Sequence, residues 1–498
     1  MATYTYNVSH TSPPGPRVLK FVGAGTGTGS SVVSVTIDGR PFYSGELSWN
    51  APGDVRYVKL GHAIGVVSVT TENTKADGDL IACSGVYTYP ETNLPLLTQD
   101  ASGNGVSLSP LLPSKNIWGW KPIGGSNYPS GRDSQSSSTV STSRRVYRSE
   151  TGSPITRFKA VYANAIPNGT TVGELDTTGM GPITISAYLE TSWGTIRLRF
   201  NGSLTITLQP GEWAETDPVE IYTAPYERVY ARTVVTKDAA TLIPVTGLNY
   251  QTYEGRAFGA DVGSGTGMTG LTGSVGDGVF SPIAVIGWTP GDWVKVVGDS
   301  ITKGVNDSSG PLVPTGLQGV TGWPRRWLYG KANYIVMGFP GGSMSQWSNP
   351  INVPVTRSWL ARLAPPTTTI LAFGANDLMS NPTLATMQAA YTLAAAEERA
   401  KGVRRVGIAA ILPRTITSDS WATQQPASTS FAAGGLRDQL NTWFTRSGLF
   451  DFVLPTPSSV ATGAVWTDPV HEANDGCHPL TAGATKIAAS MPDPATIF

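Results

Sequence analysis

Val294-Lys-Val-Val-Gly-Asp-Ser-Ile-Thr-Lys-Gly304 decides the fold. Val294 to Val297 read as a short buried strand, and Gly298, Asp299 and Ser300 lead at once into a segment able to open a helix. A serine at such a handover stands at the carboxyl edge of a parallel sheet, beside the first free N–H groups of the helix. Those N–H groups can steady the oxyanion formed when a hydroxyl attacks a carbonyl. Taken alone, Gly-Asp-Ser equally describes a turn with a helix cap, so the reading depends on what lies around it.

Downstream, strand-like and helix-like runs alternate. Tyr334–Met337, Thr368–Phe373, Val403–Leu412 and Phe450–Leu454 read as strands. Thr383–Lys401, Leu436–Ser447 and Thr481–Ser490 read as helices, the first ended by Gly402 where a left-handed residue is wanted. This alternation predicts a parallel sheet covered by helices.

Upstream the texture is all β. Residues 1–115 carry alternating runs such as Val18–Val22, Ser31–Ile37, Val55–Leu60 and Gly65–Thr70, which predict a β-rich binding or anchoring domain. The glycine run Gly23–Gly29 lacks the Lys-Ser/Thr ending of a phosphate loop and reads as a hairpin loop. Residues 116–145 read as a connector, with the low-complexity stretch Ser134–Ser143. Residues 146–290 return to strands, with Asn201-Gly202 as a hairpin turn, and a β-sandwich accessory domain is expected. Residues 291–498 complete a multidomain chain as the α/β domain.

The chain has 498 residues, with 35 basic against 35 acidic side chains and no long tract of one sign, so neither nucleic acid nor an anionic membrane is an expected partner. Cys83 and Cys477 are its two cysteines, too few for a disulfide framework or a zinc cluster. The first ten residues lack the basic-then-apolar pattern of a signal peptide, and no apolar run is long enough to span a bilayer.

The candidate chemistry lies at the ends of the α/β strands. After the first comes Gly298-Asp-Ser300, after the second Gly338-Phe-Pro-Gly341-Gly342-Ser343, and after the third Gly374-Ala-Asn376-Asp377. Asp475-Gly-Cys-His478 precedes the last helix. A serine hydroxyl needs a base, and histidine is the usual one near neutral pH. His10 and His62 lie in the N-terminal β region, which leaves His471 and His478. Each has an aspartate three residues before it, Asp468 or Asp475, able to orient the ring, so spacing does not choose between them. The Pro479 and helix after His478 favour it as a fixed loop position. The N–H groups of Ser300 and Gly341 and the side-chain amide of Asn376 are candidate oxyanion donors, while Asp299 and Asp377 read as structural. Trp323, Trp327, Trp347 and Trp466 either line a sugar cleft or pack in the core, and Arg414 either meets substrate or makes a surface ion pair.

These four blocks, in this order, resemble those of the SGNH (GDSL) hydrolases over about residues 293–498. The resemblance implies a flavodoxin-like three-layer α/β/α domain and ester hydrolysis through an acyl-serine. It implies Ser300 as nucleophile and first oxyanion donor, Gly341 and Asn376 as further donors, and Asp475 and His478 as the rest of the triad. Two departures stand out: Val336 occupies a position where many members have Asn, and Gly342 beside Gly341 leaves the register of the donor open by one. The β domain before it, with Thr216-Asp-Pro-Val219, is similar to the accessory module of carbohydrate esterases, and the leading β domain is similar to phage tail proteins.

The expectation is therefore a serine esterase removing O-acetyl groups from a carbohydrate or polysaccharide, with no cofactor and no metal. Other virion proteins are possible partners. A virion or extracellular location is expected, with the cytoplasm as the alternative. A lipase or thioesterase, and a catalytically idle receptor-binding or structural virion protein, are the competing readings.

Overall fold

The computed structural model describes residues 118–497 except 125, 128–130, 134–136, 168–174, 193, 224–225, 248–252, 274–277, 308–320, 349–359 and 361–362, together with the N-terminal strands named below. The chain divides into two compact units, Met1–Pro113 and Ser114–Phe498. His10, His62 and most of the Gly23–Gly29 run lie outside the described residues, as does the start of the Ser134–Ser143 stretch.

The first unit is built of antiparallel strands, each rich in Val, Thr, Ser or Tyr and punctuated by Gly, Pro or Asp. Ala2–Val8, Gly65–Asn73, Gly29–Ile37 and Arg40–Trp49 form one sheet in that spatial order. Val55–Gly61, Arg17–Gly23 and Ile81–Thr88 form another. In the first sheet Val33, Val35 and Val69 are buried, as alternation in a half-buried strand requires.

The second unit carries the α/β alternation. Its main sheet contains β1 (Ser126–Asn127), β2 (Trp293–Gly298), β3 (Asn333–Gly338), β4 (Thr368–Ala372), β5 (Arg405–Ala409) and β6 (Phe452–Leu454). All pairings are parallel, in the order β1-β3-β2-β4-β5-β6. The chain leaves β2 toward β3 on one side and β4 toward β5 on the other, so a topological switch point lies between β2 and β4.

The side chains of β2 divide by period two. Trp293 and Val297 enter one core with Met344, Met387, Tyr391, Leu440 and Phe444, while Val294 and Val296 enter a second with Ile301, Trp323, Trp327 and Ile487. The first core receives α3 (Met344–Trp347), α5 (Leu384–Ala400) and α6 (Leu436–Arg446). The second receives α1 (Ser300–Lys303), α2 (Trp323–Leu328) and α7 (Thr481–Ser490). A further short helix, α4 (Ala375–Met379), follows β4. The strands and long helices expected from sequence appear within a few residues of the predicted bounds.

Apart from β1, the strands described between residues 118 and 290 form antiparallel sheets. Val140–Tyr147, Ile183–Thr191 and Val229–Lys237 pair in one, Arg157–Ala163 and Ala284–Thr289 in another. Tyr147, Ile185 and Val235 from the first share a core with Phe158, Tyr162 and Val285 from the second. Asn201 and Gly202, both at positive φ, make the expected turn, with Phe200 bridged to Ser203.

The stretch read as a connector does more than connect. Gly119–Pro122 pairs with Ala284–Thr289, Ser126–Asn127 is β1 at the edge of the parallel sheet, and Val140–Tyr147 is an interior strand. Its polar composition hid this because Ser141, Thr142, Ser143, Arg144 and Arg145 are buried with hydrogen-bond partners in place. Arg144 forms a paired contact with Glu190 at 2.8 Å through both Nε and Nη2.

Candidate active site

At the end of β2, Gly298 is required by close approach: a Cβ there would meet Thr302 Oγ1 at 2.0 Å and the Ala372 carbonyl at 2.5 Å. Asp299 then caps α1, its carboxylate accepting from the Ile301 N–H at 2.9 Å. Ser300 follows as the first helical residue, 8% exposed, and its N–H has no acceptor among the described residues.

His478 reaches it from the loop before α7. His478 Nε2 lies 2.8 Å from Ser300 Oγ, and its Nδ1 lies 2.6 Å from Asp475 Oδ2. The other Asp475 oxygen accepts the N–H groups of Cys477 at 2.9 Å and His478 at 2.7 Å. Burial pushes the Asp475 carboxyl up, but the imidazole and these two N–H groups outweigh it and hold it down at about 2. An ionised carboxylate of this kind fixes the imidazole with its proton on Nδ1 and its lone pair toward the serine.

His471 resembles His478 locally, with Nδ1 2.9 Å from Asp468 Oδ2, yet its side chain is 74% exposed against 22% for His478. The contact with Ser300 belongs to His478.

The 474–478 loop is braced from behind. Trp466 Nε1–H donates to the Gly476 carbonyl at 2.9 Å, the Thr415 N–H donates to the same oxygen at 2.9 Å, and Trp421 Nε1–H donates to the Asn474 carbonyl at 3.0 Å. Gly476 stands at φ +73, and a Cβ there would lie 2.0 Å from the Thr415 carbonyl, so no side chain fits. Burial pushes the Cys477 thiol up to about 12, which makes it inert beside the histidine.

The loops after β3 and β4 are tied together. Asp377 accepts from the Met344 and Ser345 N–H groups at 2.8 and 3.1 Å and from Ser345 Oγ at 2.9 Å. Ser343 and Gln346 form a capping box at the start of α3. Asn376 Nδ2 donates to the Gly342 carbonyl at 2.9 Å. The Gly342 N–H is spent on the Phe339 carbonyl at 2.8 Å, while the Gly341 N–H has no acceptor among the described residues. Of the two neighbouring glycines, Gly341 is thus the one with a donor to offer.

Asp299 and Asp377 hold loops and helix starts, as their sequence positions suggested. For the four tryptophans, left open between cleft and core, burial favours the core. Trp323, Trp327, Trp347 and Trp466 are all 5% exposed or less and pack in the two cores. Their large apolar rings cover the sheet, and core burial outweighs any stacking role. Arg414 is half-buried, close enough to Cys477 to pull its thiol down against burial. Val336, the departure in the second block, is buried in the core of α1 and α2.

Two residues near the site carried little signal in the sequence. Asn306 donates to Asp475, and Trp421 stands half-exposed against the loop bearing Asp475 and His478. The Asn306-Asp307 pair just past α1, and a lone Trp after the polar run Thr417–Ser420, were the available hints.

A cavity beneath α1 is lined by Asp299, Ile301, Ala375, Ile411, Leu412 and Ile487, among others. Neither Ser300 nor His478 lines it, so it belongs to the packing under the turn rather than to the reacting face. Among the described residues no group of three His, Cys, Asp or Glu side chains is arranged to hold a metal ion, and no helix is long and apolar enough to cross a membrane.

A serine on the strand-to-helix turn after β2 is thus joined to a histidine and an aspartate from the loop before α7, on a parallel α/β sheet. Residues 296–486 match the profile of the GDSL-like Lipase/Acylhydrolase family, and the C-terminal region carries an SGNH hydrolase domain. No curated protein matches the chain. Among solved structures, the chain is similar to a peptidoglycan O-acetylesterase at 14% identity, covering 75% of this chain and 80% of that one, with a TM-score of 0.30. It is similar to a family two carbohydrate esterase from Clostridium thermocellum at 12% identity, covering 73% and 91%, with a TM-score of 0.28. A carbohydrate esterase family 3 structure from Talaromyces cellulolyticus shows 17% identity, covering 41% and 96%, with a TM-score of 0.26. None of these likenesses assigns a residue role or a substrate to this chain.

Proposed function

We propose that the protein is a serine esterase that removes O-acetyl groups from a carbohydrate through an acyl-serine intermediate. The observation that carries this reading is the continuous relay from Ser300 Oγ through His478 to Asp475, at 2.8 and 2.6 Å. In it, Ser300 Oγ attacks the ester carbonyl as His478 Nε2 takes its proton. Asp475 orients the ring and steadies the imidazolium. The N–H groups of Ser300 and Gly341 and the amide of Asn376 receive the oxyanion. His478 then returns the proton to the leaving alcohol, and a water activated by the same nitrogen releases the acid.

The Gly342 carbonyl holds the Asn376 amide, and the Asn306 amide is held on Asp475. Trp421 offers a flat apolar face of the kind a sugar ring covers with its C–H groups. The same reading takes the parallel sheet as the centre of a flavodoxin-like three-layer α/β/α domain and residues 146–290 as a β-sandwich. The two cores on opposite faces of β2 and the core shared by the antiparallel sheets support this. The unit Met1–Pro113 is proposed to hold the polymer or to anchor the protein, on a virion or outside a cell.

The test is turnover of p-nitrophenyl acetate against butyrate and longer esters by the parent, Ser300→Ala and His478→Ala. Acetate-selective turnover that falls by roughly 10⁴-fold or more in both variants is expected. Preference for long acyl chains would move the reading to a lipase or thioesterase. Equal low rates in all three proteins would leave an idle fold that only binds.

A further inference from the structure

The chain leaves α1 through Gly304 and Val305 into Asn306 and Asp307. Asn306 stands at φ +66, a region that few L-residues other than Asn and Asp enter readily. Its Nδ2 donates to Asp475 Oδ2 at 2.8 Å, the same oxygen that faces His478 Nδ1 at 2.6 Å. An ionised carboxylate only accepts, so the amide must present its NH₂ there. The neighbouring Asp307 is buried and takes four hydrogen bonds: from the Gly322 N–H at 2.7 Å, Arg326 Nε at 2.9 Å, Arg326 Nη2 at 2.7 Å and Thr481 Oγ1 at 2.9 Å. Thr481 opens α7, three residues after His478. Asp307 therefore pins the exit of the nucleophile's helix to the start of the helix that follows the histidine, and that pin holds Asn306 against Asp475.

We infer that Asn306 is a positioning residue for the Ser300–His478–Asp475 relay: its side-chain amide, held by the Asp307 clamp, sets which oxygen of Asp475 faces the imidazole and draws charge from it. This rests on the reading of those three residues as the catalytic triad. No side-chain carbon is available to a glycine at this position, so removing the amide there leaves the left-handed backbone intact but takes away the donor. An aspartate also accepts that backbone but sets a second carboxylate against Asp475. The charged and titratable groups around the pair are His478, Cys477, Asp299 and Arg414 on the facing elements, and Lys303 and Asp307 on the segment of Asn306 itself.

The experiment compares Asn306→Gly and Asn306→Asp with the parent and Ser300→Ala, reading kcat, KM and the pH profile of kcat/KM on p-nitrophenyl acetate, with thermal melting alongside. Loss of a hydrogen bond to a charged group predicts a kcat lowered roughly tenfold in Asn306→Gly with KM little changed. A carboxylate relieved of its donor, and more so one with a second carboxylate beside it, favours the imidazolium. The acid limb of the profile therefore moves to higher pH in Asn306→Gly and further in Asn306→Asp. Both variants tracking the parent in rate and profile while Ser300→Ala is inactive would overturn the inference. So would a drop of equal size at every pH, which marks a merely structural role. If Asn306→Gly melts early, Asn306→Asp alone still decides through its limb. Parental rates in Ser300→Ala would instead overturn the triad itself, and this inference with it.

Discussion

Asp299, one residue before the nucleophile, is 2% exposed and carries a carboxyl that burial pushes up to about 7, against the N–H groups of Ile301 and Thr302 and the charge of His478. The unfolded value is about 3.9. Between the two, the folded protein holds a proton that the unfolded chain has lost, so stability falls as pH rises from about 4 to about 7 and is flat above. At roughly 1.36 kcal/mol per unit, the burden at pH 8 is on the order of 4 kcal/mol. Asn at the same place keeps the helix-capping acceptor without the charge. Asp299→Asn should therefore melt higher than the parent at pH 8 and about level with it at pH 4; parallel melting curves across that range would contradict the assignment. The burial of Asp299 was not legible in the sequence, where Gly-Asp-Ser reads the same in any turn. Aspartate spacing could not separate His471 from His478, because both make the same three-residue contact; Pro479 and the helix after His478 favoured it, and its contact with Ser300 lies 178 residues away. Ser300, Gly341 and Asn376 were legible because each ends a strand, and strand ends of a parallel sheet converge on one edge.

At the scale of elements, α5 was the easiest to read, since its Ala, Leu, Met and Glu content favours helix over 17 residues and Thr383 caps it. What fixes it to the sheet was not readable. Lys295 of β2, buried on the same face as Trp293 and Val297, meets Glu398 of α5, which also accepts from Thr369 Oγ1 of β4 at 2.8 Å. Burial pushes the Glu398 carboxyl up, but the charges of Lys295 and Lys401 outweigh it and hold it below the usual range. A lysine in the strand Val294–Val297 looked like one polar position in an otherwise apolar run, and its partner lies 103 residues further on. Removing one member of a buried pair leaves an uncompensated charge, at a typical cost of about 3–5 kcal/mol, while apolar replacement of both is often neutral. Glu398→Gln should lower the denaturation midpoint by that measure, and Lys295→Met with Glu398→Leu should recover most of it. A double variant no more stable than the single one would show that the pair contributes more than mutual neutralisation. The misread stretch 116–145 has the same cause: its strands find partners such as Ala284–Thr289 and β3 far along the chain, and no local pattern announces them.

At the scale of the molecule, the change of texture near residue 290 is a change of secondary structure, while the core runs across it. Val161, Ala163, Ile283, Ala284 and Ile286 pack in one cluster with Trp293, Val297, Met337 and Leu371 of the parallel sheet. Polar contacts cross as well: the Glu150 N–H donates to Asn333 Oδ1 at 3.0 Å, the Gly330 N–H to Glu150 Oε2 at 3.0 Å and the Ala364 N–H to the Trp120 carbonyl at 3.2 Å. Burial of Val161, Ile283 and Ile286 alone stabilises by roughly 1.5–3 kcal/mol each, a sum comparable with the roughly 5–15 kcal/mol that holds a whole domain. A fragment of residues 291–498 keeps every proposed catalytic side chain, yet exposes the counterpart of that surface and loses β1 from the sheet edge. It should be aggregation-prone, without a cooperative melt or near-ultraviolet circular dichroism. A fragment of residues 114–498 retains the shared core and should melt with the full chain and turn over p-nitrophenyl acetate within about twofold of it. Co-sedimentation with acetylated polymer then isolates the N-terminal unit: binding lost from the 114–498 fragment with turnover intact assigns adhesion to Met1–Pro113, whereas a 291–498 fragment as stable and active as the longer one would show that the shared core contributes nothing to the catalytic sheet.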